Sequence, residues 1–580
     1  MISFVRYLLG AVLLCSSGVS FSQQTGFLKG TVVLAESEEG AIGAIVTAYR
    51  VDQQSGRTVT DVSGNYTMEL EEGTYRVICQ VAGMITDTAV ADITTDQVTK
   101  LDFELSENVE VLDQVVVSAG KFDQKLEDLT VSMEIIKPDL IENKNATSIE
   151  SALNQAPGLT IMDNEPQIRG GSGFTFGVGS RVAIVVDGMP LITGDAGRPE
   201  WSFVPVENIE QIEVIKGAAS VLYGSAALSG VINIRTKYPR IKPITKFNFT
   251  SGVYSAPAQA NKWWTQAPVY TGLNFLHSRI VKKNLDVVIG GNLFYDHGYI
   301  GPPGIDDPII IDSLTDFTEN DLKQYRARLN FNLRYRFPNI KGLSVGLNGN
   351  GMIARTNFAL AWLDDSTNIY RAYPGAISLQ EQKIFNLDPY ITYHSKGGVQ
   401  HSLRTRIFAT DNVITNNQSN SSILLFGEYQ MQRKFVQFDE LNFTGGVSGT
   451  RTSSTAQLYA GNGRPNNFIT NISGYAQLDK KLWEVLNVSA GVRFEYFKMN
   501  EQESVVKPVV RAGASLKVTE GTIVRASYGQ GYRFPTIAER FILTSLGTFG
   551  VFPNPDLQPE TSANTELGIK QGYKIGDDLI

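Results

Sequence analysis

Cysteine, histidine and charge are all scarce in this chain of 580 residues. Two cysteines, Cys15 and Cys79, and four histidines, His277, His297, His394 and His401, show no metal-ligand spacing, so neither a metal site nor another cofactor is expected. Charged residues make up 19% of the chain and the net charge is -8, with no basic tract carrying interleaved aromatics, which argues against nucleic acid as a partner. Nucleophile elbows and helical HExxH pairs are missing as well, so no catalysis is expected. Beyond the first residues no apolar run reaches the roughly 20 residues of a spanning helix. If the mature chain lies in a membrane it must cross as a closed barrel, because lipid offers unpaired backbone groups no partner.

Glycine (54), tyrosine (23) and phenylalanine (29) are plentiful, a mixture that suits many short strands with turns between them. The length predicts several units rather than one core. Residues 1–22 read as a secretory leader: Arg6 is the positive start, Tyr7 to Leu14 the apolar stretch, and Val19-Ser20-Phe21-Ser22 the small-residue approach to cleavage near Gln23. The bulky Leu14 before Cys15 speaks against a lipid anchor. Removal of the leader leaves Cys79 without a disulfide partner, and it reads as a buried strand residue.

Residues 26–105 alternate apolar and polar in short runs, among them Thr31-Val32-Val33-Leu34, Ala44-Ile45-Val46-Thr47-Ala48-Tyr49, Tyr66-Thr67-Met68-Glu69-Leu70 and Tyr75-Arg76-Val77-Ile78. The order Gly30-Thr31-Val32, Gly43-Ala44-Ile45-Val46, Thr60-Asp61-Val62-Ser63-Gly64-Asn65-Tyr66 and Gly73-Thr74-Tyr75 resembles the carboxypeptidase-regulatory-like β-sandwich. Asp61 and Asn65 fit a turn between strands without metal, a calcium loop being the other reading. In the linker, residues 106–122, the β-branched run Leu112-Asp113-Gln114-Val115-Val116-Val117-Ser118-Ala119 predicts a strand without a sheet of its own, able to add to the edge of a partner. A last sandwich strand or a plain linker is the alternative.

Residues 123–238 carry an ordered set of strand and turn signals. Asn145-Ala146-Thr147-Ser148-Ile149-Glu150, with Leu153 and the Pro157-Gly158 stop, predicts a short amphipathic helix. Then follow Gln167-Ile168-Arg169-Gly170, Ile184-Val185-Val186-Asp187-Gly188-Met189-Pro190, Ile209 through Gly217, and Ala219-Ser220-Val221-Leu222-Tyr223-Gly224-Ser225-Ala226-Ala227. Two glycine-rich loops, around Phe174 and Phe176 and around Arg198 and Trp201, interrupt the strands. From residue 239 to 580 strict alternation takes over: Tyr325, Ala327, Leu329, Phe331, Leu333 and Tyr335 oppose Arg326, Arg328, Asn330, Asn332, Arg334 and Arg336, so one face suits lipid and the other a wet lumen. The terminal tyrosines suit the two bilayer interfaces. Late in the chain come Gly529-Gln530-Gly531-Tyr532-Arg533-Phe534-Pro535-Thr536 with Glu539-Arg540-Phe541, then Asn554-Pro555-Asp556-Leu557-Gln558-Pro559-Glu560-Thr561-Ser562.

Taken in order, these segments resemble a TonB-dependent outer-membrane receptor, with the N-terminal extension found in receptors of the Bacteroidetes type. The resemblance implies a mainly β fold: a β-sandwich, then an α+β plug inside a large antiparallel transmembrane barrel. Such barrels have about 22 strands, whereas residues 239–580 supply about 16 at roughly 20 residues per strand and connection. A chain truncated at its C-terminus is the expectation. The resemblance also implies a TonB box at Leu112, Asp113, Gln114, Val115, Val116 and Val117, served by the TonB–ExbB–ExbD complex. It implies plug-to-barrel ionic contacts by Arg169, Glu213, Lys216 and Arg235, with ordinary solvated plug charges as the other reading, and ligand contacts by Phe174, Phe176, Arg198 and Trp201, with loop packing as the other reading. The implied function is energy-coupled uptake of a scarce small molecule, a ferric siderophore or cobalamin-like ligand, across the outer membrane. A glycan importer of the SusC type and a cell-surface interaction protein of β-domains are the alternatives.

Overall fold

The computed structural model describes residues 25–579 apart from 36–39, 52, 82–83, 107–115, 118–119, 123, 144–147, 171–177, 218, 240–241, 259–260, 303–318, 360, 368, 374–375, 416, 436–440, 461–464, 484, 520, 547–548, 573 and 576–577. The expected leader and Leu112 to Val115 therefore lie outside the described residues, as do Phe174 and Phe176. The chain divides into two compact units, Met1–Glu110 and Val111–Ile580.

In the first unit, Thr25–Leu34 pairs antiparallel with Asn65–Glu71 and parallel with Val98–Lys100 and Phe103–Leu105. A second sheet runs in the order Gln53–Val59, Ile45–Arg50, Gly73–Gln80, Asp87–Ile93. The period of two decides which side chains go inside: Tyr66, Met68 and Leu70 from one sheet meet Tyr75, Val77 and Cys79 from the other in a single core. The turn at Asp61 is closed by its own carboxylate, whose Oδ1 accepts the N–H groups of Ser63 (2.8 Å) and Asn65 (2.9 Å).

The second unit is a plug and a curved barrel sheet. The plug sheet has the order Ser132–Ile136, Ile209–Lys216, Gly230–Thr236, Val182–Val186, Met189–Pro190. All five residues of Val182–Val186 are buried, which is why that strand reads as an unbroken apolar run rather than an alternating one. The expected helix around residue 150 is a single turn, Glu150–Leu153, whose N-cap Ile149 offers no capping side chain. Thr147, the residue three before Glu150, falls outside the described residues, and Ile149, Ala152 and Leu153 join the plug core.

Fourteen strands form one antiparallel sheet in chain order: β1 (Ile244–Val253), β2 (Val269–Val281), β3 (Leu285–Asp296), β4 (Gln324–Arg336), β5 (Leu343–Ala359), β6 (Ile377–His394), β7 (Val399–Ile414), β8 (Asn420–Phe435), β9 (Leu441–Ala456), β10 (Asn466–Leu482), β11 (Leu486–Met499), β12 (Val505–Lys517), β13 (Thr522–Arg533) and β14 (Glu560–Gln571). The count falls below about 16 because residues are not spent evenly: long connections separate β3 from β4 and β13 from β14, whereas β2 and β3 are joined by a short turn. Among the described residues β1 and β14 each pair with one neighbour only. In β4, Arg326, Arg328, Asn330 and Asn332 are buried against the plug side while Tyr325, Leu329 and Tyr335 are exposed. The same outward apolar face appears at Phe385, Ile423, Ile472 and Phe494 on other strands. The connections at one end of the sheet are all short, and the long ones, after β1, β3, β5 and β13, lie at the other, the asymmetry of outer-membrane barrels between periplasmic and outer faces.

Candidate functional site: the plug seated in the barrel wall

The segment Ala219 to Ser229 leaves the plug sheet as one helical turn, Ser220–Tyr223, and reverses at Gly224. Gly224 has φ +78°, a backbone conformation that favours glycine, and it lies against Arg493, whose Nη2 would be 2.8 Å from a Cβ there. The two late motifs of the barrel hold this turn. Ser220 Oγ accepts the N–H of Tyr532 (3.3 Å) and Ser225 Oγ accepts that of Phe534 (3.1 Å). Ser562 Oγ donates to the carbonyl of Leu228 (2.9 Å), and Gly531 lets that carbonyl approach, since a Cβ there would meet it at 2.9 Å. Tyr532 is fully buried in a cluster with Val221, and Phe534 stacks on Phe497 with centroids 4.1 Å apart.

Arg533 ties the same corner together. It forks onto Glu539 (Nη1–Oε2 and Nη2–Oε1, both 2.7 Å) and reaches Glu560 through Nε (3.1 Å), while Arg181 of the plug forks onto Glu560 (2.8 Å twice). Glu539 is also the third residue of the capping box that Thr536 opens on helix Ile537–Phe541. Both late motifs stood out in the sequence; their contact with the Tyr223-Gly224-Ser225 turn did not, because more than 300 residues separate the partners.

Across the lumen, arginines on the wall grip plug carbonyls. Arg328 on β4 donates to Ser202 O (2.7 Å), Val204 O (2.6 Å) and Glu207 (2.6 Å). Arg406 on β7, paired with Asp388 at 2.6 Å, donates to Met189 O (3.0 Å) and Pro190 O (2.9 Å). Fixed guanidinium donors satisfy backbone acceptors that would otherwise be stranded at a buried interface. Burial raises the Asp187 carboxyl of the plug, against two hydrogen bonds from Thr236 that lower it. Burial raises the Tyr223 phenol too.

The residues singled out in the sequence fall in several places. Arg169 makes a bidentate pair with Glu566 on β14. Glu213, fully buried, pairs with Arg235 at 3.6 Å and Lys216 with Glu134 at 3.4 Å, contacts made between plug strands. Arg198 is partly exposed and bound to Glu200 at 2.8 Å. Trp201 is a correction: it is 3% exposed, belongs to the plug core and donates its indole N–H to Asn164 O (2.8 Å), so its ring is used in packing and not presented to a ligand. The glycine-rich flank suggested an open loop, but Trp201 opens a 3-10 turn, Trp201–Phe203, that folds inward.

Of the coupling segment, Val116–Val117 is a short strand paired antiparallel with Gln124–Lys125. Between these strands lies Lys121, which no sequence signal marked. Its ammonium sits in the lumen against Glu428 on β8, 4.9 Å from the ring centroid of Tyr475 and 5.6 Å from that of Tyr223. Its backbone carbonyl accepts from Gln430 (3.3 Å) and from Gln432. Burial lowers the Lys121 pKa while Glu428 opposes the shift.

Three family profiles match this architecture. A TonB-dependent receptor-like β-barrel profile covers residues 268–579, more than half of the chain. A TonB-dependent receptor plug domain profile covers 125–231 and a CarboxypepD_reg-like domain profile 28–117. Among curated relatives, a vitamin B12 transporter (BtuB) of Vibrio vulnificus strain CMCP6 is 35% identical over 139 residues, 24% of this chain and 23% of the relative. An iron-regulated outer membrane virulence protein of Vibrio cholerae serotype O1 is 24% identical over 500 residues, 80% of this chain and 66% of the relative. The chain thus spans less than two thirds of the length of either. Among solved structures, the siderophore receptor PirA of Acinetobacter baumannii superposes with a TM-score of 0.57 at 16% identity, over 77% of this chain and 69% of that one, a likeness of fold. A ferric enterobactin receptor (PfeA) mutant from Pseudomonas aeruginosa gives 0.59 at 16% identity, over 80% and 71%. A plug locked into an antiparallel barrel by two late-barrel motifs, together with these matches, places the chain in the family of TonB-dependent receptors of the outer membrane.

Proposed function

We propose that this receptor carries out energy-coupled uptake of a scarce nutrient, a ferric chelate or a cobalamin-like molecule. The observation that supports it most is the seating of the plug: the Tyr223-Gly224-Ser225 turn is held by hydrogen bonds and ion pairs at the wall, contacts that can be remade after displacement. A polar, partly hydrated lumen keeps the desolvation cost of such pairs modest. In this reading Arg169 holds the plug to the wall through Glu566, Glu213, Lys216 and Arg235 tie the plug strands to one another, and Phe174, Phe176 and Arg198 are contact candidates on the outer side. Leu112 to Val117 adds as a strand to TonB, which with ExbB and ExbD supplies work. Residues 1–22 serve as the export leader, 26–105 as the sandwich, 106–122 as the linker, 123–238 as the plug and 239–580 as barrel. The ligand class draws on the relatives' names, a vitamin B12 transporter and an iron-regulated outer membrane protein.

Deleting Leu112 to Ser118 tests the reading. Surface binding of cyanocobalamin or of a ferric chelate is expected to persist while uptake into cells stops. Uptake that survived the deletion would overturn the coupling role.

A further inference from the structure

The plug does not meet the wall equally on all sides. Towards β4 and β7 the arginines described above fill the interface with contacts to plug carbonyls. Towards β8 to β11 a cavity of ≈160 Å³ remains. The plug presents glycines and small side chains there, including Gly188, Gly194, Gly224 and Ala226, and the wall presents Ser448, Thr450 and Thr452 with Phe426 and Phe497 beside them. Small groups on both faces leave the void, and Arg493 in its lining bonds to Glu495 (2.7 Å) and Ser448 (3.3 Å), both on the wall, whereas Arg328 and Arg406 opposite reach plug carbonyls.

The cavity is bounded at one end by Thr452 on β9, Arg533 on β13 and Thr536, near the long-loop ends of their strands, and at the other by Lys121 and Glu428 near mid-strand. The side chain of Lys121 is 6% exposed and that of Glu428 2%. Parting such a pair strands the other charge away from water, so the contact holds until work is done on it. Lys121 is also the connection between the two strands of the Val116–Val117 hairpin, four residues beyond Val117.

We infer that this cavity is the start of the ligand's passage and that Lys121 is its gate, so that a pull on the coupling strand removes the tether and the floor in one movement. The inference rests on the energy-coupled uptake proposed above. At its present volume the cavity is smaller than the roughly 300–1,000 Å³ that drug-sized ligands occupy. Passage therefore requires the plug to yield on this side, where small groups and a void face the wall in place of the carbonyl contacts that Arg328 and Arg406 make on the β4 and β7 side. The mixed lining of hydroxyls and phenyl rings suits a ligand with both polar and apolar surface.

Two variants of the full-length receptor in cells test it. In Thr450→Cys, modification with a bulky methanethiosulfonate reagent is expected to lower energised cyanocobalamin or ferric-chelate uptake about tenfold with surface binding unchanged, whereas methyl methanethiosulfonate leaves uptake within about twofold. Cys79 is fully buried and does not compete for reagent. Full uptake through the bulky adduct overturns the route. In Lys121→Met with Glu428→Gln, influx of nitrocefin to a periplasmic β-lactamase is expected to rise about fivefold without an energised membrane, and the bulky adduct at position 450 is expected to suppress the rise. Unchanged influx, with the barrel shown to be assembled by heat-modifiable migration, overturns the gate. An uncoupler separates the two readings: wild-type uptake that persists in its presence sinks energy coupling itself, while uptake that stops with the uncoupler but ignores the adduct sinks only the route.

Discussion

Arg169 of the plug and Glu566 of β14 face each other fork to fork, with Nη1 3.0 Å from Oε2 and Nη2 3.0 Å from Oε1. The side chains are 39% and 18% exposed, so the bidentate geometry is partly screened by water. A double-mutant cycle with Arg169→Ala and Glu566→Gln is expected to give a coupling of about 1 kcal/mol in the unfolding of detergent-solubilised receptor. Arg169→Lys should recover less than half of it, since an ammonium cannot reproduce the fork. A coupling indistinguishable from zero would mean that the pair contributes nothing to holding the plug.

The wall arginines were readable in the sequence because their signal is local: Arg326, Arg328, Arg334 and Arg336 sit at a period of two within one strand, and pleating alone turns them to one face. The seat of the plug was half readable. Tyr532-Arg533-Phe534 and Tyr223-Gly224-Ser225 announce themselves as motifs, but which carbonyl or hydroxyl meets which depends on barrel curvature and plug height. Lys121 carried no local mark at all; its partners Glu428 and Tyr475 lie 307 and 354 residues away. Trp201 failed for a different reason. Glycines around it suggested exposure, yet a large apolar ring beside a plug core gains more from burial than a loop position gains from openness.

That position of Trp201 makes stability, not affinity, the property it governs. Trp201→Phe keeps the ring but loses the indole donor to Asn164 O, and is expected to cost about 1 kcal/mol. Trp201→Ala empties part of the core and should cost about 3–5 kcal/mol. In both, binding of cyanocobalamin or ferric chelate measured well below the unfolding transition should stay within about twofold of wild type. A large loss of affinity in a Trp201→Phe receptor of normal melting temperature would restore the ring to the ligand site.

Asp61 of the extension accepts two backbone N–H groups within its turn, and its geometry needs no ion. EDTA is therefore expected to leave the extension's unfolding temperature unchanged, while Asp61→Ala lowers stability by about 1–2 kcal/mol. Asp61→Asn keeps one acceptor oxygen and should lose less. A fall in melting temperature on chelation, reversed by added calcium, would show that the turn holds metal.

Cys79 gives the extension a pH dependence whose sign can be worked out. Burial, with Asp87 as a second cause, pushes its thiol from 9.0 up to about 12. The folded state thus favours the neutral thiol. Its contribution is fully present below about pH 9, where the thiol is protonated whether folded or not, and is lost as pH climbs from there towards 12, because only the unfolded thiol releases its proton. Within that window stability should fall by up to about 1.4 kcal/mol per pH unit from this group. Unfolding followed between about pH 8 and 10.5 in wild type and in Cys79→Val should show a steeper decline in the wild type. Tyr66 remains in both proteins; burial, the larger cause of its raised phenol, cancels from the difference, while the smaller part due to the Cys79 thiolate is lost with Cys79 and belongs to the same effect. Parallel curves, or rapid reaction of the native thiol with a disulfide reagent at about pH 8, would mean that Cys79 is not held from solvent as the sandwich core requires.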